Sequence, residues 1–317
     1  MIRIGHVMCA MLTASLAIPL VTPSLARRKL PENSPAYSVR ILVKEQGVTV
    51  GTGSGVYLNA KDNTYLVTAK HVIAAALPDS AGDVYSPNLM IELVAYSKDL
   101  PTPARTRLLV DLKTVRRNGD LKWHDERDVA IIRIGSGRKQ QQDVKDELKF
   151  GAGVHVLEWG GSGLLGVDAE LVRRFDQVLV GNDSILYSYP TPLEFPELPK
   201  FDPFRPLLRK GLIAGQDPQN RHLIIDGAVF RGDGGGPVFE IDEDPRKISY
   251  YLIGVLTQFI PLRETAPDLE IRLNSEYSVA EPMDYVLELV EKMGAVSPST
   301  NPSTNPSTIL SINPSTK

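Results

Sequence analysis

Cysteine is almost missing from this sequence. Cys9 is the single one in 317 residues, so no intrachain disulfide can form and core packing must hold the fold. An excess of charge is missing as well: 35 Lys+Arg against 38 Asp+Glu gives a formal −3, and no stretch is basic enough to serve as an electrostatic footprint for nucleic acid. With 42% hydrophobic and 23% charged residues the chain is neither collagenous, coiled-coil nor wholly disordered. Ligand sets for metals are scarce. His124, Asp125 and Asp128 lie close together but lack a further histidine or cysteine partner, so neither a metal nor a cofactor is expected.

Both ends read as something other than the folded body. Arg3 gives a positive start, residues 7–21 are uncharged and mostly apolar, and Ser24-Leu25-Ala26 puts small residues where a signal peptidase cuts. Residues 1–26 are therefore expected to be a signal peptide, whose removal takes Cys9 with it and leaves no stable membrane insertion. The competing reading, an uncleaved anchor, is opposed by Pro19, Pro23 and the many small residues. A connector follows at 27–36. At the other end, Asn-Pro-Ser-Thr repeats fill 295–317, a composition too poor in apolar surface to offset its ordering entropy, so a disordered tail is expected. Export of this kind suggests a secreted or periplasmic protein of a bacterial envelope.

Between them, residues 37–294 alternate short β-branched and aromatic runs with Gly, Pro, Asn and Asp. Strands are expected at 37–44, 48–58, 65–69, 90–96, 107–115 and 129–134, and again at 154–159, 169–175, 184–189, 210–214, 222–225, 237–241 and 250–258. Two clusters of strands with little helix make an all-β fold of barrels or sandwiches. One helix closes the body: Met283, Val286, Leu287, Val290 and Met293 recur at steps of three and four, which makes one apolar face.

Three segments carry chemistry in a fixed order. His71 ends the apolar run Tyr65-Leu-Val-Thr-Ala-Lys-His71, where packing can hold an imidazole that still faces a cleft, as a general base requires. Asp128 opens the run Asp128-Val-Ala-Ile-Ile132, where its carboxylate can accept a hydrogen bond from His71 and fix the tautomer. Phe230-Arg-Gly-Asp-Gly-Gly-Gly-Pro237 is a turn almost without side chains, whose backbone N–H groups can converge on an oxyanion. Each alone is also what a surface histidine, a strand-start aspartate or a tight turn looks like.

Together these segments resemble the chymotrypsin-fold (trypsin-like) serine peptidases, especially the disulfide-free bacterial ones. Gly51-Thr-Gly-Ser-Gly55 is similar to the family's early Gly-rich hairpin, Val67-Thr-Ala-Lys-His71 to its histidine motif, Asp128-Val-Ala-Ile-Ile132 to its aspartate motif, and Gly232-Asp-Gly-Gly-Gly-Pro237 to its nucleophile motif. The resemblance implies two six-stranded β-barrels with the catalytic groups between them and an oxyanion hole from the N–H groups of Gly232 and Gly234. It also implies a primary pocket based at Ala228, and a substrate-pairing strand at Thr257, Gln258 and Phe259. No acid stands at Ala228, so a small or apolar side chain is a better fit to that pocket than Lys or Arg. Asp233 has no processed Ile-Val-type N-terminus with which to pair.

The departure from the family pattern is Gly234, which stands where the nucleophilic serine belongs. His71 then has no hydroxyl to deprotonate, and covalent catalysis is not expected. Ser54 and Ser162 lie in Gly-rich contexts, but neither sits in a Gly-x-Ser-x-Gly elbow. The leading expectation is an exported peptidase homologue that no longer cleaves but still binds extended peptides or unfolded polypeptides. The alternatives are an active serine endopeptidase, if Gly234 is a sequence error, engineered knock-out or strain variant, and a purely structural envelope protein.

Overall fold

A computed structural model describes residue 30 and residues 34–74, 89–96, 105–137, 148–160, 164–190, 205–244, 247–266 and 269–294. The expected signal peptide, Cys9, Ser162 and the repeat tail lie outside the described residues. Residues 34–37 form a 3-10 turn with Ser34 and Ala36 buried.

Alternation builds the first sheet. In β1 (Ser38–Glu45), Val39, Ile41 and Val43 point into the core while the residues between them are partly exposed, the period of two that a half-buried strand needs. Gln46 and Gly47 then both take positive φ, 50° and 84°, which makes the two-residue reversal into β2 (Val48–Ala60) compatible with strand twist. A second such reversal, Lys61 and Asp62 at φ 49° and 60°, leads to β3 (Asn63–Thr68).

Further strands are β4 (Leu89–Tyr96), β5 (Arg105–Asp111), β6 (Leu121–Trp123), β7 (Ala130–Ser136), β8 (Lys149–Phe150), β9 (Val154–Glu158) and β10 (Gly166–Asp168). Their order is β6-β7-β3-β2-β1-β4-β5-β9, with β8 on β7 and β10 parallel to β2. The sheet curls around Ile41, Leu66, Ile91, Leu93, Leu108 and Ile132, each fully buried and each worth about 1.5–3 kcal/mol of transfer free energy.

The second sheet closes on itself. Its strands are β11 (Asp183–Ser188), β12 (Leu207–Asp217), β13 (His222–Asp226), β14 (Pro237–Asp244), β15 (Lys247–Ala266) and β16 (Leu269–Pro282), in the order β11-β12-β13-β16-β15-β14. Leu186, Ile213, Leu223, Ile225, Val238, Ile253 and Leu256 fill it. The fold is thus all-β, two curled sheets and a C-terminal helix, as expected. The six-stranded count holds for the closed second barrel, whereas the first sheet has ten strands and runs open from β6 to β9.

Local differences from the sequence reading have identifiable causes. The strand expected over 107–115 stops at Asp111, whose carboxylate accepts the N–H groups of Lys113 and Thr114 and starts α2 (Leu112–Arg117). Residues 169–175 form no strand. They begin with a 3-10 turn, and Val172 makes a single bridge to Leu252. The run 250–258 is the middle of the 20-residue β15, and its partner β16 was not anticipated. The helix, α3 (Met283–Gly294), buries Leu289 in place of the expected Leu287.

Candidate active site

The histidine is placed by its neighbours. After β3, Ala69 leads into the short helix α1 (Lys70–Ala74), in which Val72 and Ile73 are buried while the His71 side chain stays 51% exposed. His71 therefore stands in the first turn of a helix and not at the end of a strand. Lys70 pins the opposite loop by donating to the carbonyls of His124 and Asp125.

That loop delivers Asp128, which precedes β7. One carboxylate oxygen accepts the His71 main-chain N–H at 2.8 Å and the other lies 2.6 Å from Nδ1. A carboxylate only accepts, so Nδ1 carries the proton and the Nε2 lone pair is left facing away from Asp128. His124 shapes the turn: its Nδ1 accepts the N–H groups of Glu126 and Arg127 and so caps it.

Behind Asp128 stands Glu281 of β16, which sequence reasoning did not single out. Its carboxylate takes the Asp128 main-chain N–H, and it lies 3.4 Å from His222 Nε2. Arg127 approaches the same His222 nitrogen at 3.2 Å. Burial pushes the Glu281 carboxyl up, against the charges of His222 and Arg127 and with the charge of Asp128 adding to the rise. A carboxylate two residues before α3 has no motif signature, so only the fold could bring it to Asp128.

The Gly-rich turn comes from the second barrel. The Asp233 N–H bonds the Phe230 carbonyl at 3.0 Å, and Gly232, third in that turn, has φ +93°, a conformation glycine adopts without steric cost. A Cβ on Gly235 would fall 2.1 Å from Thr68 Oγ1 and 2.2 Å from the Ser54 carbonyl oxygen, so the turn presses directly on the first sheet. Ser54 stitches the two. Its N–H donates to the Gly234 carbonyl at 2.8 Å, and its hydroxyl donates to the Gly232 carbonyl at 2.8 Å while accepting the Tyr189 N–H at 2.9 Å. Ser54 is fully buried and spent on these bonds, which removes it as a substitute nucleophile.

These contacts bring Gly234 to His71. A Cβ at Gly234 would stand 2.7 Å from His71 Nε2 and 3.0 Å from Cε1, with Val72 at an ordinary 3.7 Å. The imidazole thus overlaps the volume a side chain would take. The N–H groups of Gly232 and Gly234 have no acceptor among the described residues.

Comparison with known proteins adds the following. No family model and no curated protein matches the sequence. Among solved structures, an HtrA-type protease AlgW with tripeptide is 14% identical with a TM-score of 0.44, covering 82% of this chain and 60% of that one. A serine endoprotease from Yersinia pestis is 14% identical, TM-score 0.42, with 83% and 65% covered. The human heparin binding protein is 10% identical, TM-score 0.48, with 86% and 98% covered. The chain therefore spans less than two thirds of the length of the first two.

The residues expected to receive a substrate lie in the segment before the turn and on β15. Ala228 is half-buried and its carbonyl accepts from Arg209 at 3.2 Å. Thr257 sits at an irregularity between β15 and β16 and donates to the Val279 carbonyl. Gln258 and Phe259 are exposed. His155 is exposed on β9.

Proposed function

We propose that the protein is an exported trypsin-like peptidase homologue that does not carry out covalent proteolysis and that holds extended or unfolded polypeptide in the cleft between its barrels. The observation that carries the reading is that His71 Nε2 lies 2.7 Å from the Cβ position of Gly234: the imidazole faces the place where the nucleophile belongs and occupies part of its volume, and that position has no side chain. Losing the nucleophile of a serine-protease triad costs about 2 × 10⁶ in turnover, on the order of 8–9 kcal/mol of barrier. Binding does not share that loss, because the N–H groups of Gly232 and Gly234 are main-chain atoms that can meet a carbonyl or carboxylate oxygen. Ala228, Thr257, Gln258 and Phe259 are the residues assigned to the bound chain, which adds as a strand.

The test has two arms. Purified protein is expected to bind denatured polypeptides in a pull-down, to leave casein intact and to take no label from an organofluorophosphonate. A label mapped to a hydroxyl in the cleft, or casein cleavage abolished by His71→Ala, overturns the reading. Absence of any polypeptide binding leaves the structural envelope protein instead. Export predicts a mature N-terminus at Arg27 in the secreted or periplasmic fraction.

A second reading, an active endopeptidase whose serine was replaced, draws on the same contact. Outside the imidazole, a Cβ at Gly234 meets only ordinary packing, so what Gly234→Ser requires is a shift of the His71 ring, which stands closer than a Cβ tolerates. Resequencing the locus decides whether the glycine is natural.

A further inference from the structure

One nitrogen beside the Asp128 loop is claimed twice. His222 of β13 has Arg127 Nη1 at 3.2 Å from its Nε2 and Glu281 Oε1 at 3.4 Å from the same atom. A guanidinium only donates and an ionised carboxylate only accepts, so the two contacts ask for opposite states of that nitrogen. With a lone pair, Nε2 accepts from Arg127. With a proton, it donates to Glu281 and sets a second donor and a second positive charge against the guanidinium.

Arg127 immediately precedes Asp128 and anchors its loop to the other lobe: Nη1 also donates to the Asn220 carbonyl at 2.6 Å, and the guanidinium lies 4.8 Å from the centre of the Tyr285 ring of α3. The remaining charges around His222 are Asp217, its partner across β12, and Asp128, which acts through Glu281. The neighbouring Arg221 is turned to Asp176 and Asp284. The His222 side chain is 24% exposed, so solvent protons reach it. Histidine changes charge within about pH 5–8, whereas a guanidinium keeps its proton throughout. We propose that His222 is a positioning residue for the loop that carries Asp128 and that a proton sets its hold: neutral, it secures Arg127; protonated, it turns to Glu281 and repels Arg127. The loop is then held at and above neutrality and loosened in acid, whether or not the cleft binds polypeptide.

Nitrogen NMR of the imidazoles in the full chain tests this without any ligand, the His222 signals being assigned by their loss in His222→Leu. Neutral His222 is expected to carry its proton on Nδ1, because Nε2 must accept. Arg127→Met is expected to raise the midpoint of its titration and Glu281→Gln to lower it, each changing proton affinity about threefold or more. Denaturant midpoints read the hold itself: the cost of Arg127→Met is expected to fall by about half or more between about pH 7.5 and about pH 5 in the parent, and to stay constant in a His222→Leu background. That background separates His222 from His124, which titrates on the same loop. Should Arg127→Met fail to fold, the tautomer in the parent and the midpoint in Glu281→Gln still decide. A neutral His222 protonated on Nε2, a midpoint unmoved by the loss of Glu281 or Arg127, or an Arg127→Met cost equal at both pH values overturns the proposal.

Discussion

The Ser54 hydroxyl lies 2.8 Å from the Gly232 carbonyl oxygen, so a side chain of the first sheet fixes the Gly-rich turn of the second barrel. The Ser54 hydroxyl oxygen also accepts the Tyr189 N–H. Ser54→Ala leaves two buried polar groups without partners and is expected to cost about 1–3 kcal/mol, read as a shifted denaturant midpoint with an unchanged slope. A change within experimental error would mean that water replaces the hydroxyl.

Two glycines with nearly the same φ are expected to respond differently to alanine. Gly47, at φ +84°, faces open space, so Gly47→Ala carries only the left-handed penalty of about 1 kcal/mol. Gly235, at φ +85°, would drive its new methyl into Thr68 and the Ser54 backbone, and Gly235→Ala is expected to cost about 3 kcal/mol or more. Thermal melts of the two variants compare packing at constant backbone strain.

Two buried glutamates should give opposite pH signatures. Burial works against ionisation of Glu92, but hydrogen bonds and charge from Lys44 and Arg107 outweigh it and hold the carboxyl below the ordinary 4.5. Its stabilising contribution is present above the ordinary glutamate range and fades as pH falls through its lowered value. The Glu281 carboxyl is raised, so its contribution is complete below the ordinary value and fades as pH rises through the raised one. Relative to the parent, Glu92→Gln is expected to lose most stability near neutrality and least in acid, while Glu281→Gln gains on the parent as pH rises from about 4 to 7. Denaturation midpoints of both variants across that range decide the signs.

Asp111→Ala removes the cap of α2, including the bond from the Thr114 hydroxyl to Asp111. A loss of about 1–2 kcal/mol is expected, and Asp111→Asn should recover most of it. Chemical denaturation of the two variants separates the cap from any wider effect of charge.

The sequence makes legible whatever depends on local period or on short-range order. The alternation of Val39, Ile41 and Val43 and the three-and-four steps of Met283, Val286, Val290 and Met293 each mark an element that the structure contains. Residues drawn together by barrel closure are invisible to such signals. Arg209 and Asp233 are 24 positions apart, and Glu281 meets Asp128 only because the end of β16, beside β13 in the second barrel, reaches the residues that precede β7. Asp111 was locally readable, an acid with Thr three residues later, but the apolar residues of β5 and α2 run together and hide the change of period. Leu289 was missed for a related reason: with Leu287 beside it, spacing alone does not say which leucine faces inward.

The C-terminal helix continues directly from a strand of the second barrel, yet its Tyr285 meets His124 edge-on at 5.1 Å and lies beneath the Arg127 guanidinium, both in the loop between β6 and β7 of the first sheet. The helix is therefore a strap that continues from one lobe and packs on both. Neither lobe can melt with its native surroundings intact, so the molecule is not divisible into two independently stable halves and should lose its structure in one cooperative event.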